Sequence, residues 1–303
     1  CSSADRHGAV ESLVNFYLIP GLVLGAIYAL SATGLSLIYG VMRFAHFAHG
    51  EFLAFGAYAA LVAVRGLGIS PWAAIPFAIV ATVPLAWAAD RAFYARLRRS
   101  LPAVLLISSF ATALMIRAVL YLGFGPTPLG YGLGIVPPFV WGGFRMQQRH
   151  LWIILGAALA ATLLHLLLSR SRAGRAMRAM ADDPDLARIT GVNVNAVIRL
   201  TWAVAAALAA TAGVFLGIDT ELQPVMGFNV LLASFAAAIL GGIGRPWGSA
   251  LGGLMLGMAE ELSSFPFLDG APLLSPAYKT GVAFAVLVIM LIVRPQGLFR
   301  GMG

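Results

Sequence analysis

Hydrophobic residues run along this chain in nine long stretches, separated by shorter polar ones. Several stretches hold about 20 apolar residues, the length that an α-helix needs to cross a hydrocarbon core of about 30 Å. The strict alternation typical of membrane β-strands does not occur in them. The pattern predicts an all-α, polytopic membrane protein with about eight to ten transmembrane helices. The nine segments are Leu13–Tyr39, Phe44–Val64, Pro71–Ala89, Ala103–Leu122, Leu151–Leu168, Leu200–Ile218, Phe228–Ile243, Trp247–Leu262 and Ala277–Val293.

The segments form one transmembrane domain, residues 13–303, behind a polar N-terminal segment, residues 1–12. The seventh and eighth segments are short and rich in glycine. They are therefore either two tilted spans or a partly re-entrant hairpin.

A weak internal echo links the two halves of the chain. Phe52–Tyr58 followed by Gly68–Trp72 is similar to Leu232–Ile239 followed by Gly244–Trp247. In a nine-span topology the two pairs run in opposite directions. Many transporters are built from such inverted repeats, with the substrate near the interface of the halves. We expect an inverted repeat here, although membrane helices rich in small residues also resemble one another by chance.

The positions of the basic residues predict the orientation. Fourteen basic residues fall on one side of the nine-span topology and five on the other, and Arg117 lies within a span. Because the basic side of a membrane protein faces the cytoplasm, the N-terminus is predicted outside and the C-terminus inside. A net charge of +8 on this chain therefore indicates membrane topology rather than binding to nucleic acid.

The most polar stretch of the chain is a predicted cytoplasmic loop, residues 169–199, which carries six arginines. Asp183 followed by Pro184 is typical of a helix N-cap and the first helical residue. Asp185 adds negative charge at the positive end of the helix dipole, and Gly191 is a typical stop. These residues predict a short helix from Pro184 to about Thr190. It is either part of a solvated loop that sets topology or a docking helix for a cytoplasmic partner.

A second polar cluster opens the second span, where His46, His49 and Glu51 lie within six residues. Polar side chains in membrane helices are costly and are functional candidates by default. Gly50 allows the helix to break or another backbone to approach. The cluster either lines a transport pathway or is the wet end of a span. A metal site is a weak third hypothesis, because the spacing matches no known ligand motif.

Several enzyme classes find no support. The single cysteine, Cys1, excludes internal disulfides and cysteine-rich metal sites. The glycines of Gly241–Gly257 suit close helix packing, and the chain contains no phosphate-binding G-x-x-x-x-G-K-[ST] motif. It contains no G-x-S-x-G serine hydrolase motif either. We expect no catalytic residue, no bound cofactor and no metal on this chain.

Four stretches together resemble the permease subunits of bacterial ABC transporters for branched-chain amino acids, and the resemblance covers nearly the whole chain after Leu13. Permeases for urea and short-chain amides have similar motifs. The resemblance implies a multi-pass protein of the inner membrane that translocates aliphatic amino acids by alternating access. The stretches are GLVLGAIYALSATGLSLIYGV (Gly21–Val41), FAHGEF (Phe47–Phe52), AAAILGGIGRPWGSALGGLMLGMAEEL (Ala236–Leu262) and RPQGLFRG (Arg294–Gly301).

The resemblance also implies partners. Such permeases pair with an identical or homologous permease, sit on two ATPase subunits that bind ATP and Mg²⁺, and receive substrate from a periplasmic binding protein. It favours the docking-helix interpretation of the cytoplasmic loop, although Ala181-Asp182-Asp183 stands where other importers carry Glu-Ala-Ala. The residues expected to contact the ATPase are Ala181, Asp182, Asp183, Pro184, Asp185, Arg188 and Gly191. Those expected in the substrate pathway are His49, Gly50, Glu51, Phe52 and Asn229.

Two alternatives to this function stay open. One is a permease for urea or short-chain amides. The other is a self-sufficient secondary transporter or intramembrane enzyme, for which His49, Glu51 and Arg117 are the available ionisable residues.

Overall fold

The computed structural model describes residues 11–98, 100–134, 136–141, 143–266, 274–275, 278–294 and 296–299, and most of them are helical. The predicted polar segment 1–12 lies outside this range apart from its last two residues. The final stretch of the family resemblance is described only in part, at Arg294 and at residues 296–299.

The helices follow the apolar pattern of the sequence, and a two-stranded antiparallel hairpin lies in the glycine- and proline-rich connection before the helix Gln148–Arg170. Short π-helical turns extend two of the helices, so the first is continuous from Glu11 to Met42 and the helix that begins at Ile75 continues to Leu97. The elements are α1 (Ile19–Met42), α2 (His49–Leu67), α3 (Ile75–Ala89), α4 (Pro102–Phe124), β1 (Phe139–Trp141), β2 (Phe144–Met146), α5 (Gln148–Arg170), α6 (Arg172–Asp182), α7 (Pro184–Ile189), α8 (Val194–Asp219), α9 (Met226–Gly241), α10 (Pro246–Leu262) and α11 (Lys279–Val293).

Each of the nine predicted segments contains a helix, but fewer qualify as spans. Among the described residues six helices are long and apolar enough to cross a membrane, or seven if α9 and α10 form one broken span. The predicted number of eight to ten was larger because α9, α10 and α11 are each shorter than 18 residues. A bend of 119° separates α9 from α10, so the sharp turn expected as a possible hairpin is present.

One set of helix ends lies on a common face of the protein, where side-chain hydrogen bonds connect them. Arg43 at the end of α1 donates to the backbone carbonyl of Ala181 in α6. Trp87 of α3 donates from Nε1 to the carbonyl of Arg199 at the start of α8, at 2.9 Å. These contacts bring the arginine-rich segment and the ends of α1 and α3 together, and we call this side the basic face.

The other helix ends meet on the opposite face. Leu129, shortly after α4, forms backbone hydrogen bonds of 2.9 and 2.7 Å with Leu222, shortly after α8. Lys279 at the start of α11 lies 2.5 Å from Glu261 near the end of α10. This grouping of loops agrees with the predicted alternation of spans, while the assignment of the basic face to the cytoplasm stays a prediction.

The core lies where α8 and α10 pack against α1. The most apolar 18-residue window of α8 is 83% buried. Gly253 and Gly257 of α10 lie directly against Ala29 and Gly25 of α1. Small residues allow two helix backbones to approach closely in a membrane, as the glycine pattern predicted.

Two features of the packing were not predicted from the sequence. Glu260 near the end of α10 is buried and accepts a hydrogen bond of 2.9 Å from the Tyr28 hydroxyl. The cause is the long packing of α10 along α1. The first part of the arginine-rich loop forms a helix, α6, whose Met177 and Met180 are buried. Its small apolar stripe between arginines did not stand out from the sequence.

The inverted repeat remains a prediction, with one local similarity in its favour. Both echoed stretches reach a glycine of positive φ, Gly68 (66°) and Gly244 (84°), shortly before a Pro-Trp pair. Gly244 lies beside Gly40 near the basic face, whereas α2 runs towards the opposite face.

Candidate substrate pathway and coupling segment

The FAHGE stretch forms the tight connection from α1 into α2. Helix α1 ends at Met42, and Arg43 takes a left-handed conformation with φ of 58°, which is uncommon for a residue with a side chain. The contact of Arg43 with Ala181 holds this turn against α6. Helix α2 then begins at His49, five residues later than the predicted start of the second span.

The polar side chains of this connection are buried, and the cluster is therefore not the wet end of a span. His46, His49 and Glu51 are each at most 1% exposed. His46 Nε2 lies 3.1 Å from the Tyr94 hydroxyl. Burial, with a smaller contribution from His49, lowers the pKa of the His46 imidazole well below its ordinary value.

His49 and Phe52 face the core rather than a surface. His49 Nε2 donates to the backbone carbonyl of Ser31 in α1, at 3.0 Å. The Phe52 ring lies 6.3 Å from the ring of Trp202 in α8. These two predicted pathway residues therefore hold α2 against α1 and α8.

Gly50 permits a close contact between the starts of two helices. A Cβ atom on Gly50 would overlap the carbonyl oxygen of Gly227 in α9, and a Cβ atom on Gly227 would overlap that of Gly50. The helix does not break at Gly50. Of the two roles that the sequence allowed, the close approach of another backbone is the one observed.

Glu51 turns the other way, towards α4 and α9. Arg117 of α4 donates from Nε to Glu51 Oε1 at 3.0 Å and from Nη2 to the same oxygen. The Arg117 guanidinium lies 4.9 Å from the centre of the Phe228 ring, a cation–π arrangement. Asn229, the next residue of α9, is exposed. The structure thus brings Gly50, Glu51 and the start of α9 together, beside the exposed Asn229.

Residues 181–191, which were expected to contact the ATPase, have the predicted local structure. Asp183 Oδ1 accepts hydrogen bonds from the backbone N–H groups of Asp185 (2.9 Å) and Leu186 (3.0 Å). Helix α7 runs from Pro184 to Ile189, and Gly191 adopts a positive φ of 86° after it. The N-cap, the helix and the glycine stop are all present.

Helix α7 exposes apolar side chains as well as charges. Leu186 is 58% exposed and Ile189 is 83% exposed, whereas Ala187 is buried towards the protein. Arg188 and Asp185 are exposed and lie 3.8 Å apart. Ala181 is half-buried and Asp182 exposed at the junction with α6. An apolar pair within a charged, exposed segment is typical of a contact with another protein.

Metal chemistry finds no site in the part of the chain that the structure describes. No group of three or more His, Cys, Asp or Glu side chains is placed there to hold a metal ion.

Comparison with known proteins identifies the family. The family model for the permease component of branched-chain amino acid transport systems matches residues 17–291. The chain belongs to this family. It is therefore a multi-pass permease of the inner membrane, as the resemblance implied.

Relatives match this permease over nearly their full length. BraD of Pseudomonas aeruginosa, a high-affinity branched-chain amino acid transport system permease protein, is 33% identical over 93% of this chain and 94% of its own. LivH of Escherichia coli K12, of the same description, is 34% identical over 92% of both chains. A LivH protein of the archaeon Methanocaldococcus jannaschii is 26% identical over 91% of this chain and 90% of its own.

Two solved structures share the fold. A chain of PsaBC from Streptococcus pneumoniae, solved with a Fab, covers 96% of this permease and 97% of its own length, with a TM-score of 0.55 and 12% identity. A chain of a metal-chelate type ABC transporter in an inward-facing conformation covers 93% and 88%, with a TM-score of 0.53 and 12% identity. At this identity the likeness concerns the fold alone.

Sequence reasoning missed three features of the permease. Arg117 was noted as an intramembrane charge, but its partner lies 66 positions away and no pattern in the sequence joins the two. Phe228 was counted as an ordinary apolar residue. Leu186 and Ile189 were overlooked within a charged loop, although their spacing of three places them on one helix face.

Proposed function

We propose that this chain is the membrane-spanning subunit of an ATP-driven importer that moves branched-chain, aliphatic amino acids across the bacterial inner membrane. It works with two ABC ATPase subunits, which bind ATP and Mg²⁺, with an identical or homologous second permease, and with a periplasmic substrate-binding protein. Residues 13–303 act as one permease domain in the bilayer. Its N-terminus is periplasmic and its C-terminus cytoplasmic, in line with the arginine distribution.

The observation that carries this proposal is helix α7, in a chain whose family is that of ABC permease components. A short helix capped by Asp183 at one end and stopped at Gly191 at the other is a stiff projection. It presents Leu186 and Ile189 outwards. A self-sufficient transporter has no need for an exposed apolar pair in its most polar segment, whereas a subunit driven by a partner does.

Coupling then proceeds through α7. Closure of the ATPases on ATP moves α7 and the adjoining α6. Because Arg43, in the connection between α1 and α2, donates a hydrogen bond to a carbonyl of α6, the motion reaches the start of α2. The two permeases rock against each other and open the pathway to one side at a time. Asp183, Pro184, Asp185 and Gly191 shape the helix, and Ala181, Asp182 and Arg188 lie at its margins.

The substrate pathway runs past the surface where α2 meets α9. Glu51 and Asn229 contribute polar groups to it, and Gly50 fixes the distance between the two helices. His49 and Phe52 position α2 from behind. Apolar and aromatic side chains make up most of the surroundings, which suits an aliphatic amino acid.

The test is uptake of labelled leucine by proteoliposomes that contain the complete complex. We expect uptake that requires ATP and loaded binding protein, that persists when the proton gradient is collapsed, and that excess urea or acetamide does not reduce. Uptake without ATP that follows the proton gradient would establish a secondary transporter. Uptake of urea or acetamide in place of leucine would establish an amide permease.

A further inference from the structure

The Glu51–Arg117 pair joins two helices that each qualify as a membrane span, α2 and α4. The Glu51 side chain is 2% exposed and the Arg117 side chain 18%. Charges at this depth are rare and expensive, because they give up hydration that the protein must replace. A pair that only fastened two helices would be a costly device, since apolar packing of the same volume often serves as well.

The Glu51–Arg117 pair uses only one of the two carboxylate oxygens of Glu51. Two donors of the guanidinium, Nε and Nη2, converge on Oε1 of Glu51. The other carboxylate oxygen, Oε2, is buried and has no hydrogen-bond partner among the described residues. A structural arginine–carboxylate pair is typically bidentate, with one donor for each oxygen. Here a buried acceptor is left without a donor, which costs free energy unless a donor arrives during function.

An apolar surface adjoins the pair. Phe228 lies under the guanidinium and is half-buried. About two helical turns along α4 from Arg117, Phe110 is 43% exposed and its ring centre is 6.3 Å from that of Phe47. Phe47 in turn lies 5.2 Å from Phe235 of α9. Aromatic rings thus extend from the charged pair along the junction of α4 and α9.

We propose that Glu51 and Arg117 together bind the charged α-ammonium and α-carboxylate groups of an amino acid as it passes through the permease. The α-ammonium donates to Glu51 Oε2, the α-carboxylate accepts from the Arg117 guanidinium, and the aliphatic side chain lies against Phe228. This inference rests on the proposed function and adds Arg117 and Phe228 to the pathway.

The exchange of the contact between Glu51 and Arg117 for contacts of each with the substrate is favourable, because every charged group keeps an opposite charge beside it. A zwitterion that enters the membrane loses hydration at both of its charged groups. The pair offers one opposite charge to each group, so no charge stays unpaired at any stage. Urea and amides carry no charged groups and can form only neutral hydrogen bonds with such a pair, so the arrangement favours amino acids.

The experiment uses the complete importer in proteoliposomes and three variants of this chain. Glu51→Gln keeps the shape and removes the charge, and Arg117→Lys keeps the charge and removes the forked geometry. The double variant Glu51→Arg/Arg117→Glu restores an ion pair with its polarity reversed. Arg65→Lys, at an exposed position of α2, is the matched control. Melting temperature of each purified complex is measured beside leucine uptake.

We expect the three variants to lose about tenfold to a hundredfold of leucine uptake, the size expected for a charge-assisted hydrogen bond, while Arg65→Lys keeps wild-type uptake. The reversed pair should recover melting temperature but not uptake. Leucine should also compete for uptake far better than 4-methylpentanoate, which lacks the ammonium, or 3-methylbutylamine, which lacks the carboxylate.

Recovery of uptake by the reversed pair would make the pair purely structural and overturn the inference. Near wild-type uptake by Glu51→Gln and Arg117→Lys would overturn it too, and so would equal competition by the two analogues. In each of these cases leucine uptake by the wild type leaves the proposed function intact. A wild-type complex that takes up no leucine would overturn both.

Discussion

The start of α2 and the helix α7 are both polar stretches in an apolar chain, yet the fold treats them oppositely. The α2 start is buried, with His49 and Glu51 at most 1% exposed and a second backbone at contact distance. Helix α7 projects from the basic face with Leu186 and Ile189 exposed. Burial ties the first region to the stability of the permease, whereas exposure leaves the second free for a partner. Changes in the two regions should therefore separate stability from coupling.

The largest effect on stability is expected from Gly50→Ala. The added Cβ would overlap the Gly227 carbonyl oxygen, so α2 and α9 must separate. Overpacking of this kind costs about 1–3 kcal/mol or more. We expect a lower melting temperature and less protein in the membrane. Gly66→Ala in the same helix is the control, because its Cβ meets no atom within 4 Å. Equal behaviour of the two variants would show that the start of α2 is not tightly packed.

Asp183→Ala should act on α7 alone. The variant removes the two hydrogen bonds by which Asp183 caps the first helical turn. Such an N-cap stabilises a helix by about 0.5–2 kcal/mol. We expect a nearly unchanged melting temperature of the permease and a loss of ATPase stimulation by loaded binding protein. Asn195→Ala, at an exposed position in the first turn of α8 and outside the expected ATPase contacts, should retain stimulation. Loss of global stability in Asp183→Ala would contradict the independence of α7.

His46, in the connection just before α2, should make the stability of the permease depend on pH. Burial lowers the pKa of His46 in the folded state, so below about pH 6.5 the unfolded chain binds a proton that the folded protein does not. The stability of the folded protein should therefore fall as the pH decreases from about 7.5 to 5.5. His46→Gln should show a melting temperature that falls less over this range. An identical pH profile in both proteins would mean that His46 is protonated in the folded state.

The smallest effect on stability is expected from Arg188→Glu. The exposed Arg188–Asp185 pair, at 3.8 Å, contributes about 0–1 kcal/mol. Any loss of ATPase stimulation in this variant therefore reports a contact with the partner. A melting temperature well below that of the wild type would mean that α7 is part of the permease core.

The same contrast explains what could be predicted from the sequence. Helix α7 depends on neighbours in the chain, since Asp183 and Pro184 act at its first turn and Gly191 just after its end, and its structure was predicted correctly. The α2 start depends on residues far away in the chain, such as Arg117 and Gly227. Local patterns identified its polar residues but did not indicate that they are buried or what they contact. The short helices α9 to α11 were correctly located, and each begins and ends within two residues of its predicted segment.

Coupling through α7 is tested most directly by ATP hydrolysis of the reconstituted importer with the double variant Leu186→Ser/Ile189→Ser. Both side chains are exposed, so the permease should keep its melting temperature. Interface residues that matter contribute about 1–2 kcal/mol or more each, so loaded binding protein should no longer stimulate hydrolysis. Asn195→Ala serves again as the control. Full stimulation of the double variant would show that α7 does not couple this permease to ATPase subunits.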